Sequence, residues 1–170
     1  LDLDGFKEIN DSLGHTVGDR VLVEFVRRIS SVLRADDVVA RVGGDEFVIV
    51  LHDVAEEAGL RRVADRLHAT LCAPIAAGDR DLSLTMSMGL VLVDPAPLAV
   101  ADADRLLRQA DRAMYRAKAN GRAGSVLFDP ALDLQYRPDS ELRSLISRSS
   151  LPGRSCFRRH HGRRPARPWT

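Results

Sequence analysis

Cysteine is nearly missing from this 170-residue chain. Its two cysteines, Cys72 and Cys156, lie far apart in unlike stretches of sequence. That excludes a disulfide framework and a cysteine-built metal site, and it suits a reducing cytoplasm. No apolar run approaches membrane-spanning length, and no secretory signal is legible. Acidic residues stop at Glu141. The formal net charge of +1 hides this imbalance: seven arginines lie from Arg148 onward, so residues 1–147 carry −6. A mildly acidic body argues against a nucleic-acid surface. An initiator Met is absent too. The opening "LDLD" reads as the end of a strand already under way, and the expectation is a fragment lacking its upstream part.

What is present is enough for one ordinary domain with a real core. After the turn at Gly5, Lys7–Leu13 reads as a short helix and "GHTVGD" (14–19) as a loop. From Asp19 to Leu33, Val21, Leu22, Phe25, Val26, Ile29, Val32 and Leu33 recur at helical spacing. Residues 36–42 and 47–51 read as two strands of a hairpin whose turn holds Gly43, Gly44, Asp45 and Glu46. Asp53–Leu71 is a second amphipathic helix and Leu82–Val93 a strand. A third helix, Asp102–Ala119, is capped by Asp102 and ends at Asn120-Gly121, before a short strand at 125–128. The order β-α-β-β-α-β-α-β predicts an α/β fold, a mixed and mostly antiparallel sheet flanked by helices. Beyond Asp129 the pattern dissolves: a linker spans 129–146 with one short helix at 139–146, and 147–170 reads as a disordered basic tail.

The stretch "RVGGDEFVIV" (41–50) sets two acids at the root of an apolar strand. Adjacent carboxylates repel and gain nothing from packing, so a cation between them is the better explanation. Asp2 and Asp4 end the first strand; beside the hairpin, Asp2 would approach Asp45. Hard oxygen ligands suit Mg²⁺, or Mn²⁺ in its place, with remaining ligands taken from water and substrate phosphate. A calcium loop is excluded: counted from Asp2, glycine falls at the fourth position and Leu13 at the twelfth, where that loop needs its glycine sixth and an acid twelfth.

Four stretches, "DLDGFKEINDSLGHTVGD" (2–19), "RVGGDEF" (41–47), "LTMSMGL" (84–90) and "ADRAMYRAKANGR" (110–122), stand in the order and spacing of one family. On them the chain resembles the GGDEF-domain diguanylate cyclases over residues 1–128. The resemblance implies a nucleotidyl-cyclase, palm-like fold and condensation of two GTP molecules into cyclic di-GMP and pyrophosphate, in bacterial second-messenger signalling. It implies that Asp2, Asp45 and the Leu3 carbonyl hold the metal, and that Glu46 assists the metal or the attacking 3′-hydroxyl. Gly43 and Gly44 let the backbone approach the triphosphate. Asn10 and Asp19 resemble the pair that reads guanine. Lys7, Lys118 and Arg122 look like phosphate contacts. Each domain would hold one GTP, so the active unit would be a two-fold homodimer. Arg34 and Asp37 form an R-x-x-D that resembles the family's inhibitory site for cyclic di-GMP, with Arg66 as its secondary arginine.

The rival reading is an inactive module that binds GTP or cyclic di-GMP to regulate a partner; the intact Asp45-Glu46 pair disfavours it. Residues 126–146 resemble the linker that leads into an EAL phosphodiesterase domain in many family members. Residues 147–170 do not read as the start of such a domain, and the expectation is a frameshift or truncation near Ser147 with the last segment read out of frame.

Overall fold

The structure, a computed structural model, describes residues 1–77, 80–93 and 100–133. The first strand, β1 (Asp2–Asp4), runs into helix α1 (Phe6–Leu13) through Gly5. Helix α2 follows as His15–Val32, so the expected loop at 14–19 is mostly helix. One residue, Gly14, absorbs the whole change of direction, at φ 83° and ψ 158°, a conformation that side chains resist. Gly18 lies inside α2 because α1 passes so close: a Cβ there would sit 2.0 Å from Asn10 Oδ1.

The hairpin forms as expected, β2 (Val38–Gly43) against β3 (Glu46–Val50), with a register shift between Arg41 and Gly43. Helix α3 spans Glu57–Leu71 rather than beginning at Asp53. Asp53 has φ 55°, in the left-handed region, and cannot continue a right-handed helix. The expected strand Leu82–Val93 is shorter, Thr85–Leu90, and its first residue, Leu82, belongs to another strand. β5 (Arg80–Leu82) pairs with β4 (Ile75–Ala77) in a separate ribbon, and β6 (Thr85–Leu90) joins the main sheet. Helix α4 (Val100–Ala119) starts ahead of Asp102, which falls inside its first turn instead of capping it. It ends where the sequence placed the end, with Gly121 at φ 107° just beyond. Strand β7 (Ser125–Leu127) and a short α5 (Pro130–Asp133) complete the described chain. The predicted helix at 139–146, the rest of the linker and the tail lie outside the described residues.

The main sheet has the order β2-β3-β1-β6-β7. β1 is central and antiparallel to both neighbours, and β6 and β7 run parallel. Side chains alternate across such a sheet. Leu3, Phe47, Met86, Met88 and Leu90 face one way and pack with Val21, Phe25 and Ile29 of α2 and Leu60, Ala64 and Leu67 of α3. Phe25 and Phe47 meet in a tilted pair with ring centroids 5.4 Å apart. Each such fully buried side chain contributes roughly 1.5–3 kcal/mol. Ser87 and Gly89 face the other way, under α4. A Cβ on Gly89 would lie 1.9 Å from the Ala110 carbonyl oxygen, so α4 rests directly on the strand.

Candidate active site

The sheet gathers the predicted carboxylates at one end. Register puts Asp2 opposite Glu46 on one side and Ser87 on the other. The Leu3 N–H donates to the Asp45 carbonyl at 3.4 Å, and the Phe47 N–H to the Leu1 carbonyl at 2.9 Å. Residues 1–3 and 45–47 are thereby tied side by side. Phe47 anchors the motif from behind, at 2% exposure, and holds the turn at the edge of the core. The turn has Gly44 at φ 34°, and the Arg41 Nε–H donates to its carbonyl at 2.7 Å.

α4 supplies the opposing charge. Lys118 Nζ lies 2.7 Å from Asp2 Oδ1, and Asp2 is 7% exposed. Arg122 Nε lies 3.9 Å from Asp4 Oδ1. Lys7 is exposed in the first turn of α1. Asn10 lies on α1 against Gly18, the neighbour of Asp19 on α2, so helix packing brings the two expected guanine readers to adjacent positions. Gly43 pairs with Glu46 at the root of the turn.

The electrostatics of the cluster are strained in one direction. Burial first, then the charge of Asp2, pushes the Asp45 carboxyl above its ordinary range. Glu46 is pushed up by the same two causes, with Asp111 and Asp45 adding to them. Burial also raises Asp111 on α4. Deprotonating this group of acids is costly unless a cation compensates. Among the described residues, no three His, Cys, Asp or Glu side chains are grouped as a ready metal cage. The donors the resemblance implies, the Asp2 and Asp45 carboxylates and the Leu3 carbonyl, lie where β1 meets the hairpin turn. Such a set fits a hard ion which keeps waters and takes substrate oxygens.

Two participants escaped the sequence reading. Asp111 stands seven residues before Lys118, on the same helix face, and that spacing was the available signal. Asp4 stands two residues beyond Asp2, on the same strand face, and its carboxylate is saturated by neighbours. It accepts from Ser87 Oγ at 2.8 Å, Thr85 Oγ1 at 2.9 Å and the Ala123 N–H at 3.2 Å.

The predicted inhibitory residues gather elsewhere, at the start of β2, roughly 16 Å of strand away from Gly43. Asp37 accepts from the backbone N–H groups of Arg34 at 2.8 Å and His52 at 3.0 Å, which shapes the R-x-x-D turn. Arg66 of α3 donates to the Val32 carbonyl at 3.0 Å, beside that turn.

A palm-like sheet with paired acids at its central strand and hairpin, faced by a lysine and an arginine, is the framework of a nucleotidyl cyclase. The family model described as "Diguanylate cyclase, GGDEF domain" matches residues 1–124, and the chain belongs to that family. The diguanylate cyclase TpbB of Pseudomonas aeruginosa is 44% identical over 130 residues, 76% of this chain and 29% of that protein. The cyclic di-GMP phosphodiesterase PdeR of Escherichia coli is 37% identical over 155 residues, 89% of this chain and 23% of that protein. The chain thus spans less than a third of the length of these relatives. A solved structure of the TpbB GGDEF domain alone superposes with a TM-score of 0.69 at 42% identity, covering 79% of this chain and 78% of that one. Among the described residues no helix is long and apolar enough to cross a membrane.

Proposed function

We propose that this chain is a diguanylate cyclase domain, joining two GTP molecules into cyclic di-GMP in the cytoplasm. The observation that carries the reading is the register of the central strand. It sets Asp2 against the Asp45-Glu46 turn and beneath Lys118.

In this reading Asn10 and Asp19 hold guanine, while Lys7, Lys118 and Arg122 neutralise the triphosphate. The open turn at Gly43 and Gly44 lets backbone approach the phosphates. Asp2, Asp45 and the Leu3 carbonyl would hold Mg²⁺ or Mn²⁺, which supplies Lewis-acid polarisation of phosphate oxygens. Glu46 takes up the proton of the 3′-hydroxyl, and burial with the neighbouring Asp2 charge raises its affinity for protons. The new bond joins O3′ of one GTP to the α-phosphorus of the other, and pyrophosphate leaves. Repeating the step with roles exchanged closes the ring. One chain positions one GTP, so two copies must face each other, and the homodimer is the active unit. Cyclic di-GMP binds at Arg34, Asp37 and Arg66 and inhibits.

A second reading, a regulatory module that binds nucleotide without turnover, draws support from the similarity to PdeR, a protein named as a phosphodiesterase. Incubating the chain with GTP and Mg²⁺, followed by chromatography with mass detection, decides between them. Cyclic di-GMP from the wild type and none from Asp45→Ala supports the cyclase. A folded, dimeric wild type that makes no product overturns it in favour of the module.

A further inference from the structure

We infer that Asp4 is a positioning residue which aims Arg122 at the triphosphate by pinning the turn after α4. The inference rests on the reading of Arg122 and Lys118 as phosphate contacts.

The turn is strained. Arg122 and Ala123 have φ 63° and 52°, two consecutive non-glycine residues in the left-handed region. Such a conformation persists only where its surroundings hold it. Two side chains hold the Ala123 backbone. Its N–H donates to Asp4 Oδ2 at 3.2 Å, and its carbonyl lies 2.9 Å from His68 Nε2 at the end of α3. The Arg122 N–H donates to the Ala117 carbonyl at 3.0 Å, tying the turn back onto α4.

Asp4 is itself fixed. Its side chain is 5% exposed, and the hydroxyls of Ser87 and Thr85 donate to its two oxygens. Three donors therefore lock one rotamer, and the Arg122 guanidinium hangs over the remaining edge at 3.9 Å, itself 63% exposed and open to a ligand. Asp2 and Asp4, two apart on β1, divide the work: the first faces Lys118, the second sets where Arg122 points. A phosphate arriving at Arg122 meets a guanidinium whose backbone is already placed, so little ordering entropy is lost on binding.

The test is Asp4→Asn in the full chain, with calorimetric titration of GTP and of GMP, both with Mg²⁺. An amide can keep its oxygen on the Ala123 N–H and turn its NH₂ to Ser87 Oγ, but it carries no charge, so the grip on the turn and on Arg122 weakens. GTP affinity should fall about tenfold, the scale of one lost charge-assisted contact. GMP, which lacks the outer phosphates, should change by less than about twofold on the same argument. Arg122→Ala added to Asp4→Asn should cost little more, since both remove the same contact. Equal weakening of GTP and GMP would mean a general structural role and would overturn the inference, as would unchanged GTP affinity. If Asp4→Asn does not fold, Thr85→Val replaces it: Thr85 is exposed and gives Asp4 one of its bonds. A selective loss of GTP affinity of about twofold to threefold then supports the inference, and no loss overturns it. A wild type that binds no GTP would overturn the underlying reading as well. A wild type that binds GTP beside an unaffected variant would overturn this inference alone.

Discussion

Gly89→Ala should lift α4 off the sheet and damage stability and turnover together. The added Cβ would lie 1.9 Å from the Ala110 carbonyl oxygen and 2.6 Å from the Met114 nitrogen, where ordinary contact begins at 3.4 Å. The shortfall against the carbonyl, 3.4 less 1.9, is 1.5 Å, and the obstacle is helix backbone that cannot swing aside. Overpacking of this kind costs about 3 kcal/mol, the upper part of the usual range. For a domain of this size that lowers Tm by about 10 °C. α4 also carries Lys118, whose Nζ lies 2.7 Å from Asp2 one turn beyond Met114. A displacement of 1 Å or more at a reacting centre costs about a hundredfold in rate. Circular dichroism melts and initial rates of pyrophosphate release measure both. A Tm within about 2 °C of wild type and a rate within about twofold would refute the flush contact of α4 with β6 and its role in the site. Gly59→Ala is the control: its nearest neighbour would be Val54 Cγ1 at 3.5 Å, so the helix should gain about 0.5 kcal/mol.

Gly18→Ala should act on recognition more than on stability. The new Cβ would meet Asn10 Oδ1 at 2.0 Å, the end of a side chain that can rotate away. GTP affinity should fall about tenfold while the urea midpoint shifts by the equivalent of about 1 kcal/mol; unchanged affinity counts against Asn10 as a guanine reader. Arg28→Met should lower stability by about 2–3 kcal/mol in urea denaturation, because Arg28 donates to the carbonyls of Thr70, Ala73 and Pro74 and to Glu24. Hydrogen bonds from Arg27 and Arg28 hold the Glu24 carboxyl down to about 2, against its ordinary 4.5. That contribution is present above pH 4.5 and lost as pH falls toward 2, so Glu24→Gln should flatten the acid limb of the stability curve there. Asp45 and Glu46 are shifted upward, so without a divalent ion stability should rise as pH falls through their folded values. Mg²⁺ should therefore raise Tm at neutral pH and lose its effect in acid; melting curves with and without Mg²⁺ check this.

The resemblance and the periodic patterns carried much of this protein. Asp2, Asp45, Glu46 and Lys118 were legible because their residue types stand in an uncommon order at the ends of well-marked strands and a helix. The helical face of Val21, Phe25 and Ile29 and the hairpin around Gly43 followed from local spacing, and local spacing survives folding. The start of α2 was misplaced because "GHTVGD" has the composition of a loop, yet one glycine makes the bend and the other serves helix contact. Gly89 belongs to the same class: its reason lies in α4, more than twenty residues away in sequence, and nothing near it announces that neighbour.

The sequence alone determined which chemistry was available: hard oxygen donors, basic side chains and a glycine-bearing turn. Tertiary structure decided which groups act on each other. Only the sheet order places the β1 acids between β3 and β6, and only the seating of α4 brings Lys118 onto Asp2 and the Ala123 peptide onto Asp4. Composition fixes what a side chain can donate or accept. Long-range packing fixes its distance from a partner, and electrostatic and hydrogen-bond energies depend steeply on that distance.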